Sequence, residues 1–317
     1  MILITGAAGY IGSHIIFKLI KENKKFVALD NFSTNNKKNN IYKFILNIDV
    51  GNSKKIGQLL SIKKIKTVIH AAAYAFPQES EKKKIKYLNN NVIKTKKFIN
   101  ICIKHKVKNF VFFSSSNVYK EKNLESYNEN DLRMPVNYYG KTKKLIENFL
   151  LKKKNQFNKI LILRIFNIAG YDKNFNYRNN NYPLQRIFPI FKKALKRNKK
   201  ITLFYYYEKN KIFYPRRDFL HIIDFTNLLF KMLRKMNNLK RINIFNVGSG
   251  KSHSTLEIFN LFQKYSNHKI IFSKKILKRI ELKGTKANIN KLKKILKWKP
   301  KYNCKDIVCS TLKWKGL

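Results

Sequence analysis

The chain has only three cysteines in 317 residues, Cys102, Cys304 and Cys309. They are too few for a disulfide framework, and none forms a CxxC or Cys/His spacing that would hold a metal. No apolar run approaches the roughly 20 residues that a membrane-spanning helix needs. The opening MILITGAAGY enters an apolar strand at once, without the charged start and small-residue cleavage site of a signal peptide. A cytoplasmic protein in a reducing compartment is therefore expected. Acidic residues are also scarce, 17 against 69 Lys and Arg, which leaves a formal net charge of +52. Such a balance raises the question of nucleic acid or an anionic membrane. The lysines are scattered along every segment, and no RNP motif, zinc finger or basic heptad region accompanies them. Lys, Asn, Ile, Phe and Tyr, all encoded by A/T-rich codons, are abundant together. A biased composition on a solvated surface explains the charge, and no specific nucleic-acid partner is expected.

At 44% hydrophobic the chain can bury a large core, as one large domain or two. Apolar β-rich runs at 2–5, 25–29, 43–48, 67–71, 109–114 and 160–166 alternate with helical patterns at 11–22, 54–62, 91–105 and 139–153. This alternation predicts a doubly wound parallel α/β sheet of the Rossmann type, with its ligand beyond the carboxyl ends of the strands. After Gly170 the pattern loosens. An Asn-rich loop at 171–182 leads to helical patterns at 184–197 and 222–236, a strand at 242–246, and helices near 255–265 and 288–296. The expected division is a dinucleotide-binding domain over 1–170, receiving about 218–247. A smaller α/β substrate lobe is expected from 171–217 and 248–317.

Gly6, Gly9 and Gly12 lie between the first strand and the first helix. Glycine there permits a tight turn, close backbone approach to a pyrophosphate, and close packing of helix on strand. The helix N-terminus then offers free N–H groups to the phosphates. Asp30, ending the second strand, can accept both adenosine ribose hydroxyls and would repel a 2′-phosphate, which favours NAD over NADP. A turn aspartate before Asn31 is the structural alternative. Asp49, closing the third strand, is a candidate acceptor for the adenine amino group.

Tyr139 and Lys143 stand at i and i+4, on one face of a helix. A free phenol is a poor base, with a pKa of about 10. A neighbouring ammonium and an oxidised nicotinamide both favour the phenolate. In a chain so rich in Tyr and Lys the spacing alone proves nothing. The strand before Ser114, Ser115 and Ser116 adds position, because its carboxyl end is where such a sheet presents catalytic groups.

These segments together resemble the extended short-chain dehydrogenase/reductases, and within them the UDP-glucose 4-epimerase group. The resemblance spans GAAGYIG at 6–12, Asp30-Asn31, VIHAAA at 68–73, Glu79-Ser80, and Asn90-Asn91-Val92. It continues with SSSNVY at 114–119, Tyr138-Tyr139-Gly140 with Lys143, LRIFN at 163–167, RDFLHI at 217–222 and NVGSG at 246–250. It implies Tyr139 as acid/base, Lys143 as its modulator and a nicotinamide-ribose ligand, and Ser115 as the catalytic serine, with Ser114 or Ser116 as alternatives. It implies NAD contacts from Gly6, Gly9, Tyr10, Ile11, Gly12, Asp30, Asn31, Asp49, Val50, Ala71, Ala72, Asn91, Ser114, Tyr139, Lys143 and Phe166. On the substrate side it implies Ser115, Tyr139, Asn167, Arg186, Arg217 and Lys278 around a UDP-sugar, and no metal.

The implied reaction is epimerisation of a UDP-hexose at C4 through a transient 4-keto intermediate, with NAD regenerated in each cycle. Alternatives are a UDP-uronate 4-epimerase, a dehydratase, or a degenerate NAD-binding protein. No carboxylate follows Ser115, which counts against the dehydratase. Four departures touch the substrate side: Ala75 in place of a lysine, Arg186 in place of Asn or His, the stretch 207–215 in place of an Asp-Gly-Thr loop, and KRIE at 278–281. The family pairs subunits through the helices at 91–105 and 139–153, so a homodimer is an expectation, weakened by their lysines.

Overall fold

The computed structural model describes residues 1–34, 40–122, 125–174, 186–197, 199–266, 271–277 and 282–314. Strand β1 (Ile2–Thr5) leads into helix α1 (Tyr10–Lys21) and β2 (Phe26–Asp30). β3 (Ile45–Asn47), α2 (Ser53–Ile62) and β4 (Thr67–His70) follow. Two short helices, α3 (Pro77–Lys82) and α4 (Lys84–Leu88), run through a π-helical turn at Asn89–Lys94 into α5 (Thr95–Lys104). β5 (Asn109–Ser115), α6 (Tyr138–Lys152), β6 (Lys159–Ile165) and β7 (Asn167–Ala169) complete the first half.

Next come α7 (Ile187–Lys196), β8 (Ile201–Glu208), β9 (Lys211–Phe213), β10 (Arg216–His221), α8 (Ile222–Arg234) and β11 (Ile242–Val247). The chain finishes with β12 (Ser252–Ser254), α9 (Thr255–Ser266), β13 (Phe272–Ile276), α10 (Asn290–Leu296) and α11 (Cys304–Lys313).

Seven strands form one sheet in the order β11-β6-β5-β4-β1-β2-β3, and every pairing is parallel. This is the Rossmann-type doubly wound sheet that the alternating pattern predicts. The central strands read as continuous apolar runs because both faces are covered. Alternate residues feed two cores. Ile4, Ile69, Val111 and Leu161 face one, with α1 and α8 over them. Leu3, Val68, Phe110 and Ile160 face the other, under α2, α5 and α6. The first core does not stop at the sheet. It continues through Phe188, Phe191, Leu203, Phe259 and Phe262, so the elements after residue 186 share it.

Two three-stranded sheets flank the main one, in the orders β12-β10-β7 and β13-β8-β9. β8 alternates buried Ile201 and Leu203 with exposed Thr202 and Phe204. The stretch at 207–215 is accordingly the end of β8 and the β9 turn of a hairpin. Three boundaries differ from the sequence reading. β3 ends at Asn47, two residues before Asp49. Regular α5 starts at Thr95, because the π turn occupies 89–94, and such turns are frequent at functional sites. The chain also forms a further helix, α11, beyond Pro300.

Candidate active site

The strand order reverses between β1 and β4, and a crevice opens there at the carboxyl ends. Gly6, Gly9, Asp30, Asn31, Val50, Ala71 and Ala72 line it, together with Tyr74 and Asn90. Gly6 has φ +68, and a Cβ on it would stand 2.5 Å from the Ala72 nitrogen. Only glycine fits both constraints. A Cβ on Gly12 would stand 2.1 Å from the Gly6 carbonyl oxygen, so α1 packs directly on the loop. Gly9 caps α1 without any side-chain hydrogen bond, so no capping side chain stands between the helix start and the crevice.

Asp30 faces the crevice and braces it at once. Its Oδ2 accepts from the Ala8 N–H at 3.0 Å and its Oδ1 from the Phe32 N–H at 2.7 Å. Burial pushes its carboxyl up, and the backbone N–H groups of Phe32, Ala8 and Asn31 oppose that. These residues fit a dinucleotide: a cradle too tight for side chains, an uncapped helix start, and a carboxylate at the ribose end.

Other expected cofactor residues lie behind the wall. Asp49 is outside the lining and accepts from Asn31 Nδ2 at 2.6 Å, Lys94 Nζ at 2.7 Å and the Gly51 N–H at 2.7 Å. Burial alone would raise its carboxyl, but those three bonds outweigh it and hold it below the usual range. Asn91 is 3% exposed, with its amide tied to both main-chain groups of Tyr74 at 2.9 Å. Its Nδ2 also reaches Thr142 Oγ1 at 3.3 Å, so it links the crevice wall to α6. Tyr10 donates its hydroxyl to the Gly170 carbonyl at 2.6 Å, and Ile11 packs against the core. Phe166 is buried between β6 and β7, with its N–H on the Val247 carbonyl.

The start of α6 is unusually well anchored. Asn137 Oδ1 accepts from the Gly140 N–H at 2.8 Å, Ser80 Oγ from the Tyr139 N–H at 3.0 Å, and Glu81 Oε1 from the Tyr138 N–H at 2.6 Å. Three of the orphan donors of a helix start are thereby satisfied. A Cβ on Gly140 would meet the Asn117 carbonyl oxygen at 2.1 Å, so the helix presses on the turn after β5.

That contact brings Tyr139 beside Ser115, close enough for the serine hydroxyl to lower the phenol. Ser115 Oγ also accepts from the Asn117 N–H and Nδ2, each at 3.2 Å. Its single hydrogen therefore remains for the Tyr139 oxygen or for another oxygen beside it. Ser114 is turned the other way, donating to Glu147 Oε1 at 2.5 Å. Of the three serines, the geometry brings Ser115 to the tyrosine.

Tyr139 is 8% exposed. Burial raises its phenol, while the Ser115 hydroxyl and the positive charge of Arg186 pull it down. Lys143, 4% exposed, donates to the Phe113 carbonyl at 2.8 Å, and its ammonium lies 5.8 Å from the Tyr139 ring centre. Burial brings it down to about 7, opposed by Glu147. The lysine is thus tied to β5, with the tyrosine ring beside its ammonium.

On the substrate side, β7 and β10 pair, and Asn167 Nδ2 donates to the Asp218 carbonyl at 3.3 Å. Arg217, next along β10, donates Nη1 to the Arg216 carbonyl at 3.0 Å and to that of Lys283 at 3.4 Å. Arg186 donates to the Ala75 carbonyl at 2.8 Å, with its guanidinium over the Phe76 ring. Lys278 lies outside the described residues. Sequence reasoning missed Asp218, which is fully buried and accepts from the N–H groups of Ser249, Gly250 and Ala287 and from Ser249 Oγ. It locks the glycine turn of 248–250 behind Arg217, and the RDFLHI and NVGSG segments together were the available signal. No group of three or more metal-binding side chains occurs among the described residues.

Residues 2–248 match the family model described as the NAD dependent epimerase/dehydratase family. The chain is 29% identical over 306 residues to a UDP-glucose 4-epimerase of Halalkalibacterium halodurans, covering 95% of this chain and 91% of that protein. It is 29% identical over 318 residues to one from Lactobacillus helveticus, covering 99% and 96%. Among solved structures it superposes with a TM-score of 0.88 on the UDP-glucose 4-epimerase of Bifidobacterium longum in complex with NAD+ and UDP. That match is 23% identical and covers 99% of this chain and 97% of that one. With a family model spanning most of its length and curated relatives aligned end to end, the chain belongs to the NAD-dependent epimerase/dehydratase family.

Proposed function

We propose that the protein interconverts UDP-hexoses at C4, of the UDP-glucose/UDP-galactose type, using bound NAD. The observation that carries this reading is that the buried Tyr139 stands beside Ser115, with Lys143 one turn further along α6. It stands one relay, Tyr74–Asn91–Thr142, from the glycine-loop crevice. Gly6, Gly9, Gly12 and Asp30 would hold the dinucleotide, with Asn31, Val50, Ala71 and Ala72 as walls. NAD, when bound, supplies a reversible hydride acceptor at C4, with return to the opposite face of the 4-ketone.

The chain's own residues then handle protons and position. Tyr139 takes the proton of the C4 hydroxyl and later gives one back. Ser115 directs its remaining hydrogen to the same sugar oxygen. Lys143 and Arg186 stabilise the phenolate, offsetting the burial that raises it. Asn167 and Arg217 would hold the diphosphate, for which a guanidinium fork suits.

A second reading, a UDP-uronate substrate, is favoured by one observation. Arg186 brings a guanidinium within electrostatic reach of Tyr139, where it would pair with a carboxylate at C6. The three thiols are unpaired, which supports a reducing, cytoplasmic setting. Exposed Ile93 and Leu145, in the two segments that this family uses for pairing, support a homodimer.

The test is incubation of the purified protein with a panel of UDP-sugars and no added cofactor, with products read by NMR. Interconversion of UDP-glucose and UDP-galactose is expected. Conversion of UDP-glucuronate alone would establish the second reading, and no conversion of any sugar would overturn both.

A further inference from the structure

One carboxylate sits directly behind the reacting groups and takes no part in the mechanism above. Glu147 is wholly buried, one turn beyond Lys143 on α6. Its Oε1 accepts from the Ser114 hydroxyl at 2.5 Å and from Arg164 Nε at 3.0 Å. Its Oε2 accepts from Arg164 Nη2 at 2.8 Å and from Arg133 Nη1 at 2.9 Å. Arg164, on β6, is 2% exposed and also donates to Tyr119 and to the Glu129 carbonyl. Tyr119 in turn donates to Asn246 on β11.

The network therefore joins α6, the serine turn, β6 and β11. Removing an ion pair from water is costly, and apolar side chains of the same volume would hold these elements together at least as well. Stability does not account for a carboxylate at this spot. Its position does. Ser114 precedes Ser115, and Lys143 precedes Glu147 by four residues on one helix face.

We propose that Glu147 is a positioning residue of the active site, fixing the Ser115 turn against the Tyr139–Lys143 helix through Ser114 and Arg164. It is also the negative charge that faces Lys143. The other groups around that ammonium are the Phe113 carbonyl, the Phe112 and Tyr139 rings, and buried His70 on β4. None of them is anionic in the resting protein. Glu147 thus keeps Lys143 charged over part of the neutral range that burial would otherwise deny it.

This inference rests on the epimerase reading, and the two fail differently: an inactive wild type removes the reading, whereas active but unchanged variants remove only the role of Glu147. The experiment compares wild type, Glu147→Gln, Glu147→Asp and Ser114→Ala in the epimerase assay across pH, with thermal unfolding measured on each. Glu147→Gln is expected to lower kcat by about 10²-fold, the scale of a misplaced reacting group, with KM nearly unchanged. Its alkaline limb should move to lower pH, because Lys143 loses its counter-charge, and Glu147→Asp should restore that limb.

Ser114→Ala removes only the link to the serine turn. It should lower kcat by about tenfold while leaving the pH limbs in place, with at most a modest fall in unfolding temperature from the lost bond to Glu147. If Glu147→Gln does not fold, Ser114→Ala decides alone. Wild-type kcat in Ser114→Ala, or an unmoved alkaline limb in folded Glu147→Gln, would overturn the proposal.

Discussion

Tyr139 is a base that its own surroundings hold protonated. Burial raises it, and the groups that counter this are neutral Ser115 and cationic Arg186. Tyr139→Phe should abolish interconversion, a loss of at least about 10²-fold, while the fold and bound NAD persist. Near-normal turnover in that variant would remove the proposed base. Lys143 shows what function costs. Its folded-state value lies at about 7 against an ordinary 10.5, so between these values the unfolded chain holds a proton that the folded chain releases. Stability consequently falls as pH descends from about 10.5 to about 7, and the charge remains a burden below that. Lys143→Met should therefore raise the unfolding temperature near neutral pH while turnover collapses, a trade that paired thermal scans and assays would reveal.

Sequence motifs, through the family resemblance they carry, single out Tyr139, Lys143, Asp30 and the glycine loop as candidates, and the structure places the glycine loop and Asp30 on the crevice. The sequence favours Ser115 while leaving Ser114 and Ser116 open as alternatives. That choice is made by long-range partners, Glu147 for one and Asn117 with Tyr139 for another. The sequence could not tell that Asn91 and Asp49 are already engaged by neighbours distant along the chain.

Among elements, α6 shows how local chemistry sets a site. Asn137 caps its first turn while Ser80 and Glu81 hold the next donors from α3. Asn137→Ala should cost about 1 kcal/mol of stability, as loss of an N-cap does elsewhere. It should lower kcat as well, since Tyr139 lies two residues on; chemical denaturation and steady-state assays on one preparation check both halves. The parallel strands were legible because two covered faces leave an unbroken apolar run. Strands β7, β9 and β12, of three residues each, are too short for any periodicity to register. β8 hid its alternation under three successive tyrosines, Tyr205 to Tyr207. Helix α11 carries a readable signal, the Asn303 and Asp306 capping box, set just beyond the break that Pro300 imposes.

At the scale of the whole molecule, a net charge of +52 means that compactness works against self-repulsion. The unfolding temperature should rise between about 0.01 M and about 0.3 M salt, over which the screening length drops several-fold. Scanning calorimetry at the two strengths checks it, and an unchanged midpoint would show that the lysines are already too far apart to matter. No helix among the described residues is long and apolar enough to cross a membrane.

The apolar layer beneath one side of the main sheet, which runs on without interruption into Phe188, Phe191, Phe259 and Phe262, limits how the molecule can move. Two halves welded along such a seam cannot gape like jaws about a hinge, since parting them would expose that seam to solvent. On heating, both halves should let go together, in a single calorimetric peak.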